Sequence, residues 1–124
     1  MVEQLLLALS LVGSFNAVAT DTNQHAKAAD CSPKIVGGIV GEVWMTVLFI
    51  QLFWIEERYR GKGHGTALIR KIEDEARRFG AVRSYVDTMS VQAPDFYRAL
   101  GYEMFGTIEG YPGGVTRHWL TKAL

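Results

Sequence analysis

Residues 47–66 read Val47-Leu48-Phe49-Ile50-Gln51-Leu52-Phe53-Trp54-Ile55, then Glu56-Glu57-Arg58-Tyr59, then Arg60-Gly61-Lys62-Gly63-His64-Gly65-Thr66. The first nine are apolar on both faces, which predicts a central strand. A helical pattern runs from the glycines to Phe79. A strand, a glycine-rich turn and a helix start thus form one unit. Such a unit gathers free backbone N–H groups at the positive end of a helix dipole, an arrangement suited to a phosphate. Gly61, Gly63 and Gly65 let the backbone approach an anion without a Cβ in the way. Arg60 and Lys62 add positive charge. A bare tight turn would not need three glycines, so the loop is expected to hold the pyrophosphate of a nucleotide-like cofactor.

Working outward, the helix after the loop carries Leu68, Ile69, Ile72, Ala76 and Phe79 on one face. Glu73–Arg77 and Asp74–Arg78 have i, i+4 ion-pair spacing, and Gly80 suits the helix stop. Val82–Thr88 alternates as a strand. Pro94, Asp95 and Gly101 frame a short helix through Leu100. Tyr102–Ile108 and Val115–Leu120 read as two last strands joined by residues 109–114. Upstream, Lys34–Trp44 reads as a glycine-rich strand that makes a hairpin with 46–55. Residues 2–18 are expected to form one amphipathic helix, with Leu5, Leu9 and Val12 at helical spacing, and 20–33 a loop. The expected fold is α/β (α+β): a mixed, mostly antiparallel sheet of five to six strands flanked by helices. No repeat or linker divides residues 1–124, so one domain is expected.

Composition narrows the function classes. The chain has 124 residues, 48% of them hydrophobic, enough for a core without metal or disulfide. Basic and acidic residues balance at 13 each, so no nucleic-acid partner is expected. The single cysteine, Cys31, cannot close an internal disulfide, which suggests a reducing, cytoplasmic setting. Leu5–Val12 followed by Ala17-Val18-Ala19 has the outline of a secretory signal. Glu3, with no Lys or Arg before the apolar run, argues for a packed helix instead. That run is too short to span a bilayer, so no membrane association is expected. His25 and His118 lack metal-ligand spacing, and no metal is expected.

Two motifs carry a family resemblance. Arg60-Gly61-Lys62-Gly63-His64-Gly65 resembles the acetyl-CoA motif of GCN5-related N-acetyltransferases (GNAT), Gln/Arg-x-x-Gly-x-Gly/Ala. Downstream, Phe96-Tyr97-Arg98-Ala99-Leu100-Gly101-Tyr102 resembles that family's Phe-Tyr-x-x-Leu-Gly-Phe/Tyr helix. The resemblance covers 34–124, with a shorter N-terminal part than is usual. It implies that the backbone of Arg60, Gly61, Lys62, Gly63, His64, Gly65 and Thr66 binds the pyrophosphate of acetyl-CoA. It implies that Phe53, Trp54 and Ile55 pair with the pantetheine arm, and that this strand splays from the one at 82–88. Tyr97 falls where the family has a tyrosine near the thioester sulfur. Ser90 falls where many members have an asparagine on the cofactor arm, a departure.

The implied reaction is acetyl transfer from acetyl-CoA, as co-substrate, to a primary amine by direct attack in a ternary complex. A backbone N–H near Trp54 or Ile55 would face the oxyanion. Tyr97 is read as the acid for the departing thiolate or as an aromatic packed on the sheet. Asp87 is read first as the general base, or as an ion-pair partner; Glu42 on the hairpin is a second base candidate, Gln51 beside it cannot act as a base directly, and a base working through water is equally open. The expected partner is a small-molecule or peptide amine, and the resemblance allows a homodimer. The competing reading is an acyl-CoA-binding sensor or structural module of the same fold without turnover. Trp44, Phe49, Trp54, Tyr85, Tyr111 and Trp119 are expected mostly in the core, some on an acceptor pocket.

Overall fold

The β-branched and aromatic runs on either side of Met45 fold back on each other as β2 (Lys34–Trp44) and β3 (Val47–Ile55). This is the hairpin at the centre of a computed structural model that describes residues 13–21, 34–92 and 94–124. Met45 turns the chain at φ 59°, a left-handed conformation that costs about 1 kcal/mol in a residue with a Cβ. Before β2 comes β1 (Gly13–Asp21). After β3 come α1 (His64–Phe79), β4 (Arg83–Met89), α2 (Pro94–Ala99), β5 (Glu103–Ile108) and β6 (Arg117–Ala123). The six strands form one sheet in the order β1-β2-β3-β4-β6-β5. Only the β3–β4 pair is parallel. The expected mixed, mostly antiparallel sheet flanked by helices is therefore what the chain forms.

α1 lies across β1, β2 and β3. Its buried residues are Leu68, Ile69, Ile72, Glu73 and Ala76. Gly41 on β2 makes the close approach possible: a Cβ there would sit 2.6 Å from Ile72 Cδ1. Burying Leu68, Ile69 and Ile72 is worth about 1.5–3 kcal/mol each, whereas a helix-surface ion pair is worth about 0.3–0.5 kcal/mol. Packing, not charge, holds this helix. Gly80 ends it at φ 104°.

Two expectations are corrected. Residues 13–18, placed in an N-terminal helix, belong to β1 and pair with β2 from Gly13↔Val43 onward. Phe15, Ala17 and Ala19 alternate inward, with Phe15 edge-on to Phe79 of α1 at 5.5 Å, while Val18 points out. The two-residue alternation of 13–19 carries this, and the leucines before it masked it. The rest of that expected helix, with Leu5, Leu9 and Val12, lies outside the described residues, as do His25 and Cys31. Second, Glu73 is not in a surface pair with Arg77. It is 1% exposed, and Lys122 donates to its Oε1 at 3.1 Å and Tyr102 to its Oε2 at 3.0 Å. The Tyr102 hydroxyl spends its proton on Glu73, so the Ser84 hydroxyl, 2.9 Å away, donates to it. Arg77 pairs instead with Asp74 at 2.7 Å.

Candidate active site

β3 and β4 run side by side only from Val47↔Arg83 to Ile50↔Val86. Beyond that rung they part. Leu52–Ile55 keeps its pairing with β2 after a bulge at Gln51, and Asp87–Met89 keeps its pairing with β6. The β3 edge toward β4 is left without a neighbouring strand, a surface to which an extended chain can add. The gap opens into a cleft of about 1020 Å³. Phe53, Trp54, Ile55, Arg60, Gly61, Gly63, Gly65, Thr66, Asp87 and Tyr97 all line it.

The glycine loop reaches this cleft because Tyr59 anchors the turn before it. Tyr59 is buried, with Lys34, Arg58 and Lys62 stationed 5.7, 5.6 and 5.3 Å from its ring centre. Lys62 is thereby held on the tyrosine, and His64 sits edge-on to the same ring at 6.1 Å; neither is a lining residue of the cleft. Arg60 turns back, its Nε donating to the Ile55 carbonyl at 3.1 Å. Gly61 and Gly63 have φ of 76° and 87°, and α1 starts at His64. No side chain caps this helix start and no acidic residue occupies its first turn. Among the described residues, the N–H groups of Gly61 to Thr66 have no protein acceptor; the first N–H bonded in the helix is that of Ala67, to the Gly63 carbonyl. Orphan donors, no negative charge and open space where Cβ atoms would stand fit a pyrophosphate. Gly65 has a different reason: its Cβ would meet Phe53 Cζ at 3.1 Å and Phe96 Cζ at 3.2 Å.

α2 brings Tyr97 to the cleft beside those rings. Tyr97 meets Phe53, Phe96 and Tyr102 edge-on at 6.3, 5.2 and 5.8 Å. Among the described residues its hydroxyl has no hydrogen bond, so it stays available. Burial, and then the charge of Asp87, push its pKa up to about 12. The phenol is therefore protonated throughout the neutral range. Tyr102 is raised further, first by burial, with a lowering from Ser84 and a raising from Glu73. Asp87, across the gap, accepts from Arg117 Nε at 2.9 Å and Nη2 at 2.6 Å. The Arg117 pKa is raised, first by a hydrogen bond to Tyr111 and then by Asp87.

Ser90 does not line the cleft. Its N–H donates to the Thr116 carbonyl at 2.8 Å and its Oγ accepts from the Thr116 N–H at 3.1 Å, tying the end of β4 to the approach of β6. The amide in this turn that does line the cleft is Gln92, whose Oε1 accepts from the Met89 N–H at 2.8 Å. Reading residues 90–92 for an amide rather than by fixed spacing finds it. Arg117 also lines the cleft, and its distance in sequence from Asp87 hid it. Trp44 and Trp54, expected in the core or on an acceptor pocket, are 56% and 44% exposed, and Trp54 lines the cleft. His118 bridges Thr107 and Thr116, a structural position. Among the described residues no cluster could hold a metal ion, and no helix is long and apolar enough to cross a membrane.

A splayed parallel pair with a glycine loop of unpaired N–H groups at its mouth is what the resemblance to acetyl-CoA-dependent transferases implies. The chain matches the model of the acetyltransferase (GNAT) family over residues 9–102 and belongs to that family. It is 41% identical over 92 residues to blasticidin-S acetyltransferase of Streptomyces morookaense, covering 73% of this chain and 68% of that one. A crystal structure of an acetyltransferase from Bacillus cereus superposes with a TM-score of 0.79 at 26% identity, covering 99% of this chain and 89% of that one. An aminoglycoside 6'-N-acetyltransferase complexed with coenzyme A shares the fold, with a TM-score of 0.71 at 17% identity over 98% of this chain and 78% of that one. The relative and these structures are named acetyltransferases, and this chain is an acyltransferase of the same type.

Proposed function

We propose that the chain transfers the acetyl group of acetyl-CoA to a primary amine of a small molecule, by direct attack within a ternary complex. One observation carries this reading: Gly61, Gly63, Gly65 and Thr66 with their unbonded N–H groups, the open edge of β3 and Tyr97 all line one cleft. The coenzyme A complex of a same-fold enzyme and the antibiotic-acetylating relative support acetyl-CoA as co-substrate and a small amine as acceptor.

Acetyl-CoA supplies an activated thioester. The loop N–H groups hold its pyrophosphate, and the edge at Phe53–Ile55 pairs with its arm. A backbone N–H of Trp54 or Ile55 donates to the carbonyl oxygen as charge builds there. Asp87 keeps Oδ2 on Arg117 and takes the amine's proton at Oδ1. Tyr97 donates its hydroxyl proton toward the leaving sulfur; with a pKa of about 12 it always arrives protonated. Holding both reactants in one cleft supplies much of the rate. Ser90 stands behind this site through Thr116, and Lys62 and His64 act through Tyr59 and the helix start.

The test is acetyl-CoA turnover with a panel of primary amines, read by free thiol and by mass of the amide. Equal thiol and amide, with intersecting initial-rate lines, is the expected result. Saturable acetyl-CoA binding with no thiol release on any amine would instead make the chain an acyl-CoA-binding module.

A further inference from the structure

The sheet face turned away from α1 carries a second hollow, of about 210 Å³, lined by Glu42, Trp44, Val47, Phe49 and Tyr85. Register puts these side chains on one face: Glu42 pairs with Phe49, Trp44 with Val47, and Phe49 with Tyr85. Phe49 and Tyr85 stack face to face, their ring centres 4.7 Å apart and their planes 12° apart. Trp44 stands exposed beside them. Glu42 is the one charged member, and its Oε2 accepts from Gln51 Nε2 at 3.0 Å. Its other oxygen accepts no hydrogen bond among the described residues. Arg83 is near on the same face, but its guanidinium donates to Thr121 Oγ1 on β6. Gln51 also lines the main cleft. Hollow and cleft are therefore one same-face step apart along β3 and β4, from Phe49 to Gln51 and from Tyr85 to Asp87. That step is roughly 7 Å.

We propose that this hollow selects the acceptor: it takes a flat cation, such as a guanidinium or amidinium, carried roughly 7 Å from the amine that is acetylated. Aromatic faces attract cations, planar ones also stack, and a carboxylate with a free oxygen pairs with a guanidinium. Val47 adds an apolar wall beside the rings. Because the step between the sites is short, the tail and the reacting amine belong to one small molecule. This inference rests on the N-acetyltransferase reading above.

Three primary amines of similar length test it: agmatine with a guanidinium tail, hexylamine with an apolar one, and 6-aminohexanoate with an anionic one. In the wild type, kcat/KM for agmatine should exceed that for hexylamine by about tenfold, with 6-aminohexanoate lowest. Glu42→Gln should bring the agmatine-to-hexylamine ratio close to one, and Trp44→Ala should lower it by about threefold. A wild-type ratio near one, or an unchanged ratio in Glu42→Gln, overturns the proposal. If acetyl-CoA binds and no amine turns over, the transferase reading is what fails. The hollow is then judged by agmatine binding followed through tryptophan emission. Saturation in the wild type and its loss in Glu42→Gln support the cation site, and no saturation overturns it.

Discussion

Arg117 holds Asp87 through a single carboxylate oxygen, both its Nε and its Nη2 donating to Oδ2. Among the described residues Oδ1 accepts no hydrogen bond, and Asp87 lines the cleft. The ion pair thus orients the carboxylate without consuming it. Asp87→Asn keeps the shape and the Arg117 contact but cannot accept a proton. Its kcat/KM should fall about 10²-fold, the scale of a lost general base. A loss below about threefold in steady-state kinetics would leave Asp87 as an ion-pair partner alone.

Tyr97→Phe retains the ring contacts with Phe53, Phe96 and Tyr102 and removes only the hydroxyl. The expected outcome is a drop in kcat of about 10- to 100-fold with little change in the KM for acetyl-CoA. With a pKa of about 12, Tyr97 remains protonated to high pH, so the wild-type profile should show no descending limb from this group below about pH 10. The same shift has a stability consequence. The folded value lies above the ordinary value of 10.0, so its contribution is complete below pH 10 and is lost as pH rises toward 12. The loss is about 3 kcal/mol at most. Denaturant midpoints at neutral and alkaline pH should lie closer together in Tyr97→Phe than in the wild type.

Gly63 and Gly65 should fail in opposite ways. Gly63 has φ 87° and no heavy atom within 4 Å of an added Cβ. Gly63→Asp costs about 1 kcal/mol of backbone strain, a small drop in Tm, but sets a carboxylate at the helix start. Calorimetric titration should show no acetyl-CoA binding, and retained affinity would remove the loop from the site. Gly65→Ala pushes a methyl into Phe53 and Phe96, whose stacked rings stand 5.6 Å apart. It should lower stability by about 1–3 kcal/mol and loosen Tyr97 with them.

The Glu73–Lys122 pair is asymmetric: the glutamate side chain is 2% exposed and that of Lys122 23%. Removing the lysine strands a buried carboxylate, whereas removing the glutamate frees an ammonium that can reach water. Lys122→Met should therefore cost about 3 kcal/mol or more, and Glu73→Gln about 1–2 kcal/mol. Urea denaturation decides it; the reverse order would mean that Lys122, not Glu73, is the group the fold must keep paired.

Some of this could be read before any folding was known. The apolar run of β3, the glycines after it and the 3.6-residue rhythm of α1 are local, and they announced the strand, the loop and the helix start. The Phe96–Tyr102 motif did the same for Tyr97. β1 was misread because Leu5–Val12 outweighed the shorter alternation of 13–19, whose meaning depends on pairing with Gly37–Val43. Glu73 was misread because helical spacing names its neighbours on the helix but not Lys122, Tyr102 or Ser84 arriving from elsewhere. Ser90 and Gln92 are both small steps from Met89, and only the direction of the turn tells which one reaches the cleft.

Short-range pattern therefore settled the glycine loop and the helix start, because a helix start and its orphan N–H groups need nothing beyond their own residues. Assembly alone settled where the implied splay begins, after Ile50 and Val86, the Asp87–Arg117 pair and the hollow at Glu42. Each depends on the register between strands distant in the chain, and no single stretch of sequence encodes that register.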